Sequence, residues 1–235
     1  MNNKMNNKMN NKMNNYKFPS SCQIPISDLN NIYLQHFGYK TNGSFVEVGA
    51  YDGESYSNTS GLADIGWNGL YIEPVNGSYI QCSNRHRKNP NTQVINRAIG
   101  PEDNQTSTIN ISGPLSTISE KSMANFKRMK WGSWGTTQEV ISMTLNTTLE
   151  EHLISTEFDL LVVDVEGYEH QVLGNWDINK WSPKMAIIEL HDTNTNYTSL
   201  NEQGELSSLR NKFLNNGYTC VWQNLSNSIF VRTDG

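Results

Sequence analysis

The sequence predicts an open, mostly parallel α/β sheet that closes on an antiparallel hairpin strand at its C-terminal end. Three observations carry this. Short apolar runs that break into acidic, glycine-bearing turns recur at Ser44–Glu54, Gly69–Pro74 and Phe158–Glu169, the pattern of strands buried on both faces. Helical periodicity fills the intervals between them, as strand–helix alternation requires. Two strand-like stretches, Tyr218–Trp222 and Ser228–Arg232, then end the chain across a polar turn.

Taken in order, Met1–Asn15 repeats Met-Asn-Asn-Lys. Without apolar periodicity such a tract cannot offset its ordering entropy by burial. Residues 1–20 are therefore expected to be a disordered tail, and 21–235 a single domain. Ser27 is placed to cap a helix on which Leu29, Ile32, Tyr33 and Phe37 share a face, with Gly38 stopping it. Ser44–Glu54 is the first strand and its loop. Ser57–Ile65 reads as a helix, Gly69–Pro74 as the second strand, Asn76–Arg87 as a helix and Thr92–Ile99 as the third strand.

From Gly100 to Ser142 the simple alternation lapses. Thr106–Ile111 alternates like an exposed strand. Lys121–Trp134 concentrates Lys121, Lys127, Arg128, Lys130, Trp131 and Trp134, interrupted by Gly132 and followed by Gly135. Two readings stand side by side: an acceptor-binding lid whose indoles stack on a sugar face, or a surface helix with its Trp rings folded back on the core. Glu139–Leu145 is strand-like, and Thr147 with Glu150 reads as a capping box. After the Phe158–Glu169 strand and turn, a helix begins near Tyr168. Lys184–Leu190 is the fifth strand, ending Glu189-Leu190-His191-Asp192, and Leu206–Leu214 a helix closed by Asn216-Gly217.

Ligands of such sheets sit beyond the carboxyl ends of the strands. Glu47, Glu73, Asp164 and Glu189 all fall at strand ends, so four carboxylates line one rim. They repel one another unless cations or hydroxyls share the site. Gly49 lets the first loop approach a ligand without a Cβ. Glu47 and Asp52 make that loop acidic, which disfavours a phosphate and favours a cation. Glu73, about 20 residues beyond Gly53, stands where an acid accepts ribose hydroxyls. Ribose together with a positive centre describes S-adenosylmethionine better than a dinucleotide.

The three segments Glu47-Val48-Gly49-Ala50-Tyr51-Asp52-Gly53, Glu73-Pro74 and Asp164-Val165-Glu166-Gly167-Tyr168-Glu169, in that order, resemble the FkbM family of S-adenosylmethionine-dependent methyltransferases. The resemblance extends from about Phe45 to the C-terminus. It implies a Rossmann-like class I methyltransferase fold. It further implies that Glu47, Gly49, Ala50, Asp52, Gly53, Glu73, Pro74, Ala98, Ile99 and Asp164 bind the cofactor, with Gly49 and Asp52 toward its methionine part, Glu73 on the ribose, and Ala98 and Ile99 beside the adenine. Ser116-Thr117 matches a pair that often recurs in the family after the third strand. The implied activity is O-methylation of a hydroxyl on a sugar, a glycan or a related small metabolite. Two departures are minor: Glu47 replaces a more frequent Asp, and Tyr51 stands where Asn is common.

His191 is the leading candidate base, because imidazole titrates near working pH and Asp164, Glu166 and Glu189 are expected around it. Asp164 and Glu166 complete the catalytic candidates. Asp164, Glu189 and His191 form the alternative ligand set for magnesium or manganese, as acids at equivalent strand ends do in some sugar O-methyltransferases. Glu166 and Glu169 also lie where carboxylates simply complement a helix start.

Composition excludes several classes. A formal net charge of −5 over 235 residues argues against an extended nucleic-acid surface, and Cys22, Cys82 and Cys220 lack metal or disulfide spacing. There is no apolar run of membrane length and no signal-peptide core, so a cytoplasmic protein is expected, its Asn-x-Ser/Thr sequons by-products of composition. A nicotinamide-dependent oxidoreductase is the first rival, disfavoured because Gly49–Gly53 lacks Gly-x-Gly-x-x-Gly spacing and Asp52 opposes a pyrophosphate. A non-catalytic cofactor- or glycan-binding module is the second. Base N-methylation lacks its Asn/Asp-Pro-Pro-Tyr motif.

Overall fold

The computed structural model describes residues 26–194 and 200–233. The Met-Asn-Asn-Lys tail and Cys22 lie outside the described residues. In chain order the elements are α1 (Leu29–Phe37), β1 (Ser44–Val48), α2 (Ser60–Asp64), β2 (Asn68–Ile72), α3 (Asn76–His86), β3 (Thr92–Ile95), β4 (Ala98–Ile99) and β5 (Gln105–Ile111). There follow α4 (Glu120–Arg128), β6 (Thr136–Met143), α5 (Leu145–Glu151), β7 (Leu160–Val163), α6 (Glu169–Leu173), β8 (Met185–Glu189), α7 (Leu200–Leu214), β9 (Tyr218–Gln223) and β10 (Asn227–Arg232).

Seven strands form one sheet in the order β3-β2-β1-β7-β8-β10-β9. β1, β2, β3, β7 and β8 run parallel, and β10 is antiparallel to both neighbours, as the terminal hairpin predicts. Period-2 alternation sorts the side chains into two cores. Val46, Val48, Leu161, Val163 and Ile188 pack with Leu149 of α5, Leu173 of α6 and Phe213 of α7. Phe45, Tyr71, Val162 and Ile187 pack with Tyr33 of α1, Leu62 of α2 and Cys82 of α3. A sheet covered on both faces explains why its central strands are apolar at every position.

Register fixes the rim. Val48 lies opposite Ile72 on one side and Val163 on the other, and Val163 lies opposite Ile188. The next residues, Gly49, Glu73, Asp164 and Glu189, therefore leave the sheet side by side. Strand order reverses between β1 and β7, the point at which α/β sheets open a crevice.

Several boundaries depart from expectation for identifiable reasons. The expected strand Thr92–Ile99 breaks in two, because Asn96 Nδ2 donates to the Glu73 and Pro74 carbonyls (2.9 and 3.0 Å) and diverts the chain. Ala98 and Ile99 pair instead with Ser142 and Met143 in a second sheet, ordered β4-β6-β5. α2 starts at Ser60 and not at Ser57, whose hydroxyl accepts the Ser60 amide at 3.1 Å while donating to Glu47. Thr144, and not Thr147, caps α5, its side chain accepting the Thr147 amide at 3.2 Å. In α1 the N-cap is Asp28 and not Ser27. Trp134 stacks on Phe126 of α4 (5.9 Å, 7°), and Trp131 lies 6.3 Å from the same ring while remaining 49% exposed. Among the described residues no helix is long and apolar enough to cross a membrane.

Candidate active site

Gly49 has φ +87°, and a Cβ there would lie 1.7 Å from the Asp164 carbonyl oxygen. Only glycine allows the β1 loop and the β7 end to approach so closely. The Gly49 and Ala50 amides both donate to the Ile72 carbonyl (3.0 and 3.1 Å), turning the loop across β2. Glu73 completes the turn: one carboxylate oxygen accepts the Tyr51 amide and the other the Val75 amide, both at 2.8 Å. Burial pushes Glu73 up to about 7 against those two hydrogen bonds.

Above this turn lies a cavity of about 560 Å³, walled by Gly49, Glu73, Pro74, Ala98, Ile99 and Asp164 among others. It offers a carboxylate at one end and an apolar slot from Pro74, Ala98, Ile99 and Ile109. The family's Ser-Thr pair falls here too: Thr117 donates to the Glu166 carbonyl at 2.9 Å and Ser116 to the Gly113 carbonyl at 2.6 Å.

The remaining loop candidates do other work. Glu47 is 3% exposed, accepts from Ser57 Oγ at 3.0 Å and from the Thr59 hydroxyl, and is pushed up to about 7 by burial. Its carboxylate clamps the loop, while part of it reaches a neighbouring cavity. Asp52 is engaged within the loop. Its carboxylate accepts the Glu54 and Ser55 amides (2.9 and 2.7 Å) and the Ser55 hydroxyl, an Asx turn. Gly53 (φ +75°) lets that turn pack on Cys82 and His86. Neither residue lines the 560 Å³ cavity.

The neighbouring cavity, about 1040 Å³, shares Gly49, Tyr51, Pro114, Asp164 and Glu166 with the first and adds Glu189. Asp164, Glu166 and Glu189 bring carboxylate oxygens within 4.8 Å of one another. Burial first, then the Glu189 charge, holds Asp164 and Glu166 well above the usual carboxylate range. Burial pushes Glu189 up to about 7 and Glu169 up to about 8. The buried Glu189 Oε2 accepts no amide, hydroxyl or basic side-chain hydrogen; its neighbours Asp164 and Glu169 are acids that hydrogen-bond it when protonated.

His191 is not part of this cavity wall. Its Nε2 lies 3.0 Å from Glu189 Oε1, but it faces a separate cavity between α4 and α6. β8 ends at Glu189, the Leu190 amide donates to the Ser226 carbonyl at 2.6 Å, and Arg210 grips the Asp192 carboxylate. The chain thus turns before a third alternating residue can face the rim. Burial lowers the His191 pKa. Of the expected ligand set Asp164, Glu189 and His191, the structure gathers Asp164 and Glu189 with Glu166, and leaves His191 beside Glu189 on the wall of another cavity. Three carboxylates are oxygen donors of the kind magnesium and manganese prefer, so the acidic residues fit such an ion and the imidazole does not join them.

Tyr51 is a wall residue that sequence reasoning passed over. Its backbone is left-handed (φ +49°), and it lines both cavities. Its place directly after Gly49-Ala50 was the available signal. Ser226 and Asn227, from the β9–β10 turn, also line the larger cavity and carried none.

A family model described as the methyltransferase FkbM domain matches residues 47–220. No curated protein sequence matches the chain. Among solved structures, a putative O-methyltransferase from Klebsiella pneumoniae superposes with a TM-score of 0.51 at 10% identity, over 97% of this chain and 89% of that one. An O-methyltransferase from Bacillus cereus in complex with SAH gives 0.48 at 10% identity, over 96% and 88%. The Klebsiella likeness establishes a shared class I, Rossmann-like fold. Matched along most of its length and carrying that fold, the chain belongs to the FkbM methyltransferase domain family.

Proposed function

We propose that this protein is an S-adenosylmethionine-dependent O-methyltransferase acting on a hydroxyl of a sugar, a glycan or a related small metabolite. One observation carries the reading: the cavity over Gly49 and Glu73 shares the walls Gly49, Tyr51, Pro114, Asp164 and Glu166 with a second cavity that Glu189 also lines. Two joined chambers suit a cofactor and an acceptor that must meet in line.

The residues fit the cofactor. The missing Cβ at Gly49 leaves room at the β1 end, Glu73 retains lone pairs for ribose hydroxyls, and Pro74, Ala98 and Ile99 offer an apolar slot for a flat base. When bound, S-adenosylmethionine supplies an electrophilic methyl group on a sulfonium. Asp164 lines both chambers and balances positive charge between them. Glu166 stands beside it. The Glu189–His191 pair takes up the acceptor proton: Glu189 faces the acceptor chamber, while His191, held by the Leu225 backbone, backs its other oxygen. Magnesium or manganese, if used, would be held by Asp164, Glu166 and Glu189, and would polarise the acceptor hydroxyl.

Titration calorimetry with S-adenosylmethionine and its demethylated product, with NADH as control, tests the cofactor. Saturable micromolar binding of both adenosyl compounds is expected. NADH binding in their place would sink the reading. Radiolabelled methyl transfer to a panel of hydroxyl compounds then tests the chemistry.

A further inference from the structure

The acceptor chamber has one sign of charge. Asp164, Glu166 and Glu189 crowd its floor, and among the described residues no Lys, Arg or His lines it. Glu189 is 8% exposed, its Oε2 accepts no amide, hydroxyl or basic side-chain hydrogen, and it lines this chamber but not the cofactor cavity. A cation on the cofactor therefore addresses Asp164 and Glu166 from the first chamber, while the Oε2 of Glu189, whose Oε1 lies 3.0 Å from His191, is reached from the second. A buried carboxylate oxygen without donor or cation is costly.

The rest of the chamber suits an organic molecule better than a bare ion. Tyr51 and Tyr56 supply ring surface on one side, where a sugar face stacks and a cation gains from the ring quadrupole. Asn227, 3% exposed, and Ser226 supply neutral hydrogen-bonding groups opposite.

We propose that the acceptor is an amine-bearing sugar, its ammonium seated against Glu189 and the neighbouring carboxylates Asp164 and Glu166, and that phosphorylated or nucleotide-linked sugars are excluded by the same charges. This rests on the methyltransferase reading above and narrows its substrate class. The reaction balances simply: the C–S bond of the sulfonium breaks, an O–C bond forms at a hydroxyl near the amine, and the hydroxyl proton leaves to the Glu189–His191 pair. The amine acts as a handle and stays unmethylated.

The test is calorimetric binding of glucosamine, glucose, N-acetylglucosamine and glucose 6-phosphate to EDTA-treated protein, with and without the demethylated cofactor, followed by methyl-transfer assays on the same panel. Glucosamine is expected to bind about tenfold more tightly than glucose or N-acetylglucosamine, equivalent to about 1.4 kcal/mol. Glucose 6-phosphate should not bind. Glu189→Gln should remove most of the glucosamine preference over glucose, and because Glu189 does not line the cofactor cavity, retained cofactor affinity reports that the variant is folded. Equal binding of the acetylated or phosphorylated sugar, or no binding of glucosamine, overturns the proposal. So does manganese binding that depends on Glu166 while glucosamine shows no preference, which assigns the cluster to a metal. Failure of the adenosyl compound alone to bind, with the glucosamine preference intact, would leave the cation pocket standing and remove the methyltransferase reading instead.

Discussion

Replacing Gly49 by alanine isolates the contact on which the whole site depends. The added Cβ would sit 1.7 Å from the Asp164 carbonyl oxygen, a backbone atom at the end of β7 that cannot swing aside. Holding a non-glycine residue at φ +87° costs about 1–2 kcal/mol. Relieving the clash means parting the ends of β1 and β7, where the Asp164 amide donates to the Val48 carbonyl and the Gly49 amide to the Ile72 carbonyl, both at 3.0 Å. Losing those two bonds costs about 1 kcal/mol each. The sum, about 3–4 kcal/mol, should lower Tm by roughly 10 °C in a chain of this size. Cofactor affinity should fall with it, since the displaced loop carries the Tyr51 amide that orients Glu73. Gly77→Ala is the control. Gly77 lies in α3, where an added methyl would meet nothing within 4 Å and φ is not positive, so alanine there should stabilise by roughly 0.5–1 kcal/mol. Scanning calorimetry and cofactor titration on both variants decide the matter. A Gly49→Ala protein that melts within about 2 °C of wild type and binds the cofactor normally would refute the close-approach argument.

Glu73→Ala removes the ribose acceptor together with two loop hydrogen bonds. It should weaken cofactor binding by roughly 2–4 kcal/mol in titration calorimetry, with little change in acceptor KM. Stability should fall as pH rises. Glu47, Glu73 and Glu189 are held up to about 7 and Glu169 up to about 8 in the folded protein, against an ordinary 4.5. The unfolded chain therefore sheds protons first, and stability that is complete below pH 4.5 is lost progressively up to about pH 8. Tm measured across pH 5–8 should decline, and Glu169→Gln should flatten the decline; a Tm that rises through this range would contradict the buried-acid picture. Gly167→Ala places a Cβ 1.9 Å from Ser122 Oγ at φ +90°, pushing α4 off the acidic loop, and should lower kcat more than cofactor affinity. Ser122→Ala in that background should recover the steric part and leave about 1–2 kcal/mol of backbone strain, read by a double-mutant cycle in denaturant.

What was legible in the sequence was whatever a strand writes locally. Apolar runs that end in an acid identified the ends of β2, β7 and β8, and Gly49 that of β1, because a strand buried on both faces leaves few polar positions until it exits the sheet. Family order singled out Gly49, Glu73, Pro74, Ala98 and Ile99, which the structure brings to the wall of one cavity. What stayed hidden depends on where side chains from distant segments direct their hydrogen bonds. Thr92–Ile99 reads as one strand, and only the reach of Asn96 to the Glu73 and Pro74 carbonyls splits it. Glu47 and Asp52 read as acids facing a cationic ligand, yet Ser57, Thr59, Glu54 and Ser55 bind them into the loop itself.

The same distinction separates Glu166 from His191. Alternation beyond a strand end predicts that His191 faces as Glu189 does, but alternation lapses where the ladder stops, and the Arg210–Asp192 pair turns the chain toward α7. Glu166 looks like a residue past the strand with no fixed direction. Its left-handed backbone (φ +56°), followed by Gly167, folds the turn back so that its carboxylate joins Asp164 and Glu189. Two successive positive-φ residues are a strained arrangement that the local sequence does not favour at Glu166. Such strain persists only where surrounding contacts over-determine it, here the Thr117 hydroxyl on the Glu166 carbonyl and the Glu169 carboxylate on the Val165 and Gly167 amides. The fold thus holds backbone strain that brings three acidic side chains together where two cavities share a wall, Asp164 and Glu166 lining both and Glu189 the larger one.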